Sequence, residues 1–269
     1  VADLPIPSAG REGPPPGDPG WVKKIELPNG LTFYLPAARM EGAVSFLVKE
    51  IFKRRRYAHP GFEIGPKDTV IDVGANMGLF VLWAAPQAAQ GRLIAIEPTG
   101  VIDCLRLNVQ LNGLKNVTAI RAAVGRAGQQ LDLVEYPGFN IVTHQAGIRP
   151  AAITRFLIRL LYGKYRSDPI HTTAACLPLA QIMDENHVQT VDYLKMDCES
   201  GEYEIFRSME PDHWQRIRRI ALEFHELAPD QRHGELVAIL EKAGFQIEIR
   251  KPLLDYYCMK FGEIWARRN

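Results

Sequence analysis

The stretch Val70-Ile71-Asp72-Val73-Gly74-Ala75-Asn76-Met77-Gly78 constrains this chain more than any other. Apolar residues with one acid end a strand, and two glycines bracket a tight turn into the helical pattern that starts at Leu79. Glycine lets the backbone approach a ligand closely and tolerates the dihedrals of such a turn. In open α/β sheets ligands sit beyond the carboxyl ends of the strands, which is where this turn falls. Glu97 ends the next expected strand, 23 residues after Gly74, and an acid there can accept hydrogen bonds from both hydroxyls of a ribose.

Two cofactors suit that geometry, a nicotinamide dinucleotide and S-adenosylmethionine. The dinucleotide fingerprint requires G-x-G-x-x-G, so that a helix N-terminus can receive a pyrophosphate. Here Asn76 holds the middle position and the spacing is G-x-x-x-G. Asp72 would repel a pyrophosphate but could help hold an α-ammonium group. The pattern therefore favours S-adenosylmethionine.

Short apolar runs alternate with helical patterns along the rest of the chain. Strands are expected at 69–73, 92–96, 117–120, 191–196, 217–224, 245–249 and 256–266, and helices at 79–89, 101–112, 203–209 and 235–243. Strand, helix, strand in repetition means a parallel sheet covered on both faces. Only about six residues, including Lys251-Pro252, join the last two strands, too few for a parallel crossover. The final strand should run antiparallel.

Ahead of this region, Ile25, Leu27, Leu31, Phe33 and Leu35 alternate about Asn29-Gly30, a hairpin signal. Val44, Leu47, Val48, Ile51 and Phe52 then recur along one face of a helix. It runs into Lys53-Arg54-Arg55-Arg56, which reads either as a solvated run complementing the helix dipole or as a phosphate-binding group. Residues 130–176 interrupt the sheet rhythm. Leu131–Tyr136 suggests an extra strand or hairpin, and Ile153, Phe156, Leu157, Leu160 and Leu161 mark an amphipathic helix.

Composition narrows the function classes. The chain has 269 residues, 46% hydrophobic and 23% charged, as a globular protein does. Its 32 basic and 31 acidic side chains balance to +1, which argues against a protein built to hold duplex nucleic acid. No apolar run approaches the roughly 18 residues of a membrane span. Residues 1–20 hold six prolines and four glycines and read as a tail or linker, with no hydrophobic leader. Four scattered cysteines without a CxxC argue against a disulfide framework or structural zinc, so a reducing cytoplasm is the expected compartment.

Three stretches, taken in order, resemble the FkbM family of S-adenosylmethionine-dependent methyltransferases. They are Asp72–Gly78 with Ile96-Glu97-Pro98, then Leu194-Lys195-Met196-Asp197-Cys198-Glu199-Ser200-Gly201-Glu202, then Leu222-Glu223-Phe224-His225. The second is similar to the family's K-x-D-x-E-G-x-E segment, with Ser200 where glycine is usual, a departure that bears on the turn after Glu199. The helix ending near Ile51-Phe52, with Tyr57, also resembles the family's N-terminal segment.

The resemblance implies an α/β fold of the class I methyltransferase type, sheet order 3-2-1-4-5-7-6 with strand 7 antiparallel. It divides the chain into a tail at 1–20, a hairpin and helix capping the site at 21–66, and a methyltransferase domain at 67–269 with an insertion at about 130–176. It implies O-methylation of a hydroxyl on a sugar or polyketide-type natural product. Carried over by position, Asp72, Gly74, Ala75, Asn76 and Gly78 would surround the methionine end of S-adenosylmethionine. Glu97 would hold the ribose, Ala122-Ala123 would lie near the adenine, and Asp197 would face the sulfonium.

A neutral alcohol is a poor nucleophile, so such a transfer needs a base or a metal that acidifies the hydroxyl. Asp197 and Glu199 are two apart at one strand end, Glu223 and His225 two apart at another, so each pair points to one side. His225 is the first candidate for the base, because its ordinary pKa lies near neutrality and a carboxylate can orient it. His59 could also reach the pocket. The same cluster could instead hold Mg2+, which carboxylates suit, although no metal is favoured.

Nucleic-acid substrates are disfavoured: Asp197-Cys198-Glu199-Ser200 stands where [DNS]-P-P-[YF] would grip a flipped base, and no Pro-Cys occurs. A non-catalytic cofactor-binding module and an NAD-dependent oxidoreductase remain as alternatives. Finally, Arg149, Arg155, Arg159, Lys164 and Arg166 are unaccompanied by any acid between 149 and 166. This segment is expected to form a lid whose basic face docks an anionic partner such as an acyl carrier protein.

Overall fold

Apolar strands such as Thr69–Val73 and Arg92–Ile96 need partners on both edges and cover on both faces. The chain provides both. The computed structural model describes residues 22–36, 41–135, 144–145, 170–199, 201–252, 256 and 260–268. A hairpin, β1 (Val22–Glu26) and β2 (Thr32–Pro36), leads into α1 (Glu41–Val48), which continues as a π-helical turn at Lys49–Lys53. Then follow β3 (Thr69–Val73), α2 (Leu79–Ala84), β4 (Arg92–Ile96), α3 (Ile102–Leu111) and β5 (Val117–Ile120).

A second group is all strand: β6 (Ala123–Val124), β7 (Gln130–Glu135), β8 (His144–Gln145) and β9 (Ile170–Leu177). The chain then returns through α4 (Leu179–Glu185), β10 (Tyr193–Met196), α5 (Gly201–Ser208) and α6 (Pro211–Gln215). It ends with β11 (Arg219–His225), α7 (His233–Lys242), β12 (Gln246–Arg250) and β13 (Phe261–Arg267).

Seven strands form the main sheet in the order β12-β13-β11-β10-β3-β4-β5. The five from β11 to β5 are parallel, and β13 runs antiparallel to both neighbours. Counted along the chain, this is 3-2-1-4-5-7-6 with the seventh strand reversed, the class I methyltransferase arrangement.

Strand alternation sorts the core. Ile71, Val73, Ile94, Ile96, Leu194 and Met196 face α4, α5 and α7 through residues such as Ile182, Phe206 and Leu240. Val70, Leu93, Ala95, Tyr193, Ala221 and Trp265 face the other way, toward α2, α3 and the N-terminal hairpin. Each valine, leucine, isoleucine or methionine among them contributes about 1.5–3 kcal/mol on burial. The hairpin is attached by hydrogen bonds as well. Asn108 on α3 accepts from Tyr34 N–H at 2.7 Å and donates to Tyr34 O at 2.9 Å and Met77 O at 3.0 Å. One turn on, Asn112 accepts from Thr32 N–H at 2.9 Å and donates to Thr32 O at 2.7 Å. Two asparagines on a helix thus satisfy the open edge of β2.

The structure departs from the sequence expectations at several ends. The helix expected to reach residue 89 stops at Ala84 because Pro86 cannot continue it. The last strand begins at Phe261 rather than 256, after Lys260 in a left-handed conformation (φ 60°). Val191 and Ile217, expected inside strands, make only an isolated bridge. The insertion is more sheet than helix among the described residues: β9 pairs with β6 and β7, and β8 pairs with β7. The amphipathic helix and basic run at 149–166, and the tail at 1–20, lie outside the described residues. Among the described residues no helix is long and apolar enough to cross a membrane.

Candidate active site

At the carboxyl end of β3 the chain turns within five residues. Gly74 has φ 78°, and a Cβ there would lie 2.0 Å from the carbonyl oxygen of Asp197. Only glycine lets the ends of β3 and β10 come this close. Gly78, with φ 89°, caps α2 and would bring a Cβ 3.0 Å from Leu105.

Every amide of the turn is engaged within the protein. Gly74 and Ala75 donate to Ile96 O, both at 3.0 Å, and Gly78 donates to Ala75 O at 2.9 Å. Asn76 N–H donates to Glu97 Oε2 at 2.9 Å, and Met77 N–H to Asn76 Oδ1 at 2.7 Å. A pyrophosphate cradle needs such amides unspent. The loop lacks them, which argues against a dinucleotide and fits a cofactor with no phosphate. Glu97 also accepts from Thr99 N–H and Oγ1, at 3.0 and 2.6 Å. Burial raises its pKa despite those hydrogen bonds.

Asp72 corrects an expectation. It is fully buried, and its carboxylate pairs with Lys195 Nζ at 2.9 Å instead of facing a ligand. The two residues are register partners on adjacent strands, so their side chains share a face. Lys195 also donates to Gly74 O at 3.0 Å. Burial raises the Asp72 pKa against the pull of Lys195, while the ammonium is held above its usual range by Asp72 in spite of burial. The pair props the glycine turn from beneath. With the lysine charge matched by Asp72, it is no anion receptor.

A cleft opens above the turn. Gly74, Ala75, Asn76 and Glu97 line it, with Ala122 and Ala123 beyond. Gly78 does not; it acts through the helix cap. Phe33, Val44, Leu47, Ile51 and Tyr57 from the N-terminal segment form one apolar wall, and Leu131 and Leu133 of β7 contribute another. Lys195, Asp197 and Glu199 also line the cleft. A carboxylate for a ribose, small residues beside a flat ring and acids near a cationic centre are the donor set that S-adenosylmethionine needs.

His225 and Glu223 do not line the cleft but lie buried behind Asp197 and Glu199. His225 Nδ1 is 3.4 Å from Glu202 Oε1, and its Nε2 is 3.4 Å from Glu223 Oε1 and 3.8 Å from Glu199 Oε2. With carboxylates on both ring nitrogens, both carry hydrogens. Burial alone would lower its pKa, but Glu199, Glu202 and Glu223 together hold it well above the ordinary histidine range. His225 is thus biased toward its protonated form and stands behind the cleft wall, which counts against the expectation that it is the base. His59 is also elsewhere, stacked on Trp265 and 3.0 Å from Glu248.

The carboxylates divide sharply. Asp197 is pushed up to about 6 by burial and the nearby Glu223 charge, against Lys195, His225 and Arg56. Glu199, at φ 50°, is pushed up to about 8, chiefly by burial and against the pull of His225. Glu223 goes the other way: burial would raise it, but Arg56 and His225 hold it below its usual range. Asp197, Glu223 and His225 place ligand atoms within 4.8 Å of one another, a spacing a metal could bridge. However, Glu223 already holds Arg56 on one oxygen at 2.6 Å and His225 on the other. Glu223 is therefore already satisfied by internal cations.

Arg56, Lys195, Tyr57 and Glu202 are the site residues that sequence reasoning missed as such. Arg56 is neither solvated nor a phosphate ligand; it pairs inward with Glu223 and Glu263 at 2.6 and 2.7 Å.

The reversed seventh strand, the glycine turn and the acid ending β4 together define an S-adenosylmethionine-dependent methyltransferase of class I. The chain belongs to the FkbM methyltransferase family, whose domain, described as "Methyltransferase FkbM domain", matches residues 72–247. It is 31% identical over 264 residues to the 31-O-demethyl-FK506 methyltransferase FkbM of Streptomyces tacrolimicus, covering 92% of this chain and 98% of that one. It is 26% identical over 269 residues to Methyltransferase 1 of Beauveria bassiana, with 92% and 99% covered. Among solved structures, an FkbM methyltransferase from Methylobacillus flagellatus aligns over 81% of this chain and 47% of that one, at 13% identity and a TM-score of 0.49.

Proposed function

We propose that this methyltransferase acts on a hydroxyl of a natural product with an apolar body, with Asp197 as the general base. The observation that carries this reading is Asp197 itself, at the cleft wall beside Gly74, where backbones approach too closely for any side chain between them. The apolar walls at Phe33, Val44, Leu47, Leu131 and Leu133 suit a hydrophobic scaffold. The relative from S. tacrolimicus carries an O-demethyl compound in its name, which supports oxygen as the acceptor.

When bound, S-adenosylmethionine supplies an electrophilic methyl group on a sulfonium. Glu97 would hold its ribose and Ala122-Ala123 would lie beside its adenine. The chain must align the acceptor oxygen and take its proton. Asp197 is suited to accept it: poised at about 6, it is mostly ionised at pH 7 but still basic. His225 behind it, held above its ordinary range, favours the carboxylate charge.

The test is incubation with S-adenosylmethionine and a panel of hydroxyl-bearing polyketides and sugars, following S-adenosylhomocysteine. Asp197→Asn should bind S-adenosylhomocysteine normally and turn over roughly 100-fold or more slowly. Turnover should fall as pH drops through about 6. A panel that yields no S-adenosylhomocysteine above background counts against catalysis on such hydroxyls. Near-normal turnover in Asp197→Asn removes Asp197 as the base.

A further inference from the structure

Glu223 on β11 and Glu263 on β13 are direct cross-strand partners in an antiparallel pair. Like charges so placed repel, and both side chains are about nine-tenths buried. The cation between them comes from far away in sequence. Arg56 places Nη2 2.6 Å from Glu223 Oε2 and Nε 2.7 Å from Glu263 Oε1.

The local backbone is shaped for this. Arg54 pairs outward with Glu50 at 2.6 Å, Arg55 adopts a left-handed φ of 53°, and Arg56 N–H donates to Glu50 O at 3.0 Å. A non-glycine residue in that region is uncommon. Here it lets the third arginine of a basic run face the interior. The next residue, Tyr57, lines the cleft and accepts Tyr193 O–H on its carbonyl at 2.8 Å. One turn thus carries a wall of the cleft and the counter-ion of the acid cluster.

We propose that Arg56 is a positioning residue. By clamping Glu223 to Glu263 it fixes the other Glu223 oxygen on His225, and so ties the seating of the N-terminal segment to the charge balance around Asp197. The proposal rests on the reading of Asp197 as base. The groups facing Glu223 are Arg56 and Tyr57 from the N-terminal segment, His225 on its own strand, Glu263 on β13, and Lys195, Asp197 and Glu199 at the end of β10. Glu202 on α5 reaches the same cluster through His225. Arg250 stands 3.9 Å from the far oxygen of Glu263.

The experiment is a series of thermal melts of the full chain from pH 5.5 to 8.5. It compares wild type, Arg56→Met, Arg56→Lys, and a double variant joining Arg56→Met to Glu263→Met. In wild type the Glu223 pKa is depressed, so its stabilisation is present above the unfolded carboxylate pKa and is constant across this window. Without Arg56, burial is unopposed by that cation and the folded pKa rises. A raised carboxylate pKa costs stability as pH increases, so Arg56→Met should recover at least half of its melting deficit between pH 8.5 and 5.5.

The double variant replaces the buried pair by apolar side chains, a change that folds tolerate well, and should show the same slope. Arg56→Lys should follow the wild-type profile, so that any deficit it has stays the same from pH 8.5 to 5.5. Deficits that do not change with pH in both methionine variants would overturn the proposal and leave Arg56 as packing. These melts need no acceptor, so failure to find methyl transfer would count against the functional reading alone. With an acceptor in hand, the acid limb of kcat in Arg56→Met should move away from its wild-type position, while Kd for S-adenosylhomocysteine stays within threefold; an unmoved limb would separate Arg56 from Asp197.

Discussion

At Gly74 a single hydrogen atom decides whether two strands can meet. Alanine there would drive Cβ to 2.0 Å from a backbone oxygen, which has no side-chain freedom to yield, in a left-handed conformation besides. Gly74→Ala should cost about 3–5 kcal/mol and abolish S-adenosylhomocysteine binding. Gly78→Ala meets the movable side chain of Leu105 at 3.0 Å and should cost only about 1–2 kcal/mol. Denaturant melts of both variants check the order; equal losses would mean that the contact with Asp197 O is not the constraint. Both glycines were legible from their spacing. The fate of Asp72 was not, because its partner Lys195 lies 123 residues away and only the register of β3 on β10 joins them. His225 misled for a similar reason. A histidine two residues after a glutamate suggests a base, and nothing local reveals the third carboxylate, Glu202, brought in by α5.

Among the elements, the hairpin is held to α3 by side-chain amides that imitate a neighbouring strand. Asn108 is fully buried and also binds Met77 O, so it links the hairpin to the glycine turn. Asn108→Ala would leave Tyr34 N–H and Met77 O without this partner, with Tyr34 O keeping only the Cys104 thiol, a loss of about 2–4 kcal/mol. Asn112→Ala, at a half-buried position where water can take over its partners, should cost about 1 kcal/mol. Earlier tryptic cleavage at Lys23 or Lys24 in Asn108→Ala than in Asn112→Ala would report the hairpin lifting. If the two variants melt and cleave alike, the hairpin is held by Phe33 and Leu35 alone. Periodicity located β3, β4 and β5 to the residue, since each is a run of strand formers ending at glycine, acid or turn. It could not show that asparagines on a polar helix face were structural, because an isolated helix would present them to water.

For the molecule as a whole, the spent amides of the glycine turn and the internal cations of the acid cluster make two predictions about ligands. S-adenosylhomocysteine at about 100 times its Kd should raise Tm by roughly 5–10 °C, whereas NAD at the same concentration should leave it unchanged. Equal shifts would mean that the turn can release its amides. Incubation with EDTA should leave both Tm and turnover intact. Turnover lost to EDTA and restored by Mg2+ would instead mean that a divalent ion displaces Arg56 and the His225 proton at Glu223.

The small second sheet bears on how such a chain can diversify. Glu135 and Ile170 face each other as the last register pair of β7 and β9, and Thr172 Oγ1 donates to the Glu135 carboxylate at 2.6 Å. The chain positions on either side of residues 136–169 are therefore side by side. Neither Gly74, Glu97 nor Asp197 lies within that span. Because β7 and β9 hold Glu135 beside Ile170, a change in the number of residues between these two leaves the path of the main sheet untouched.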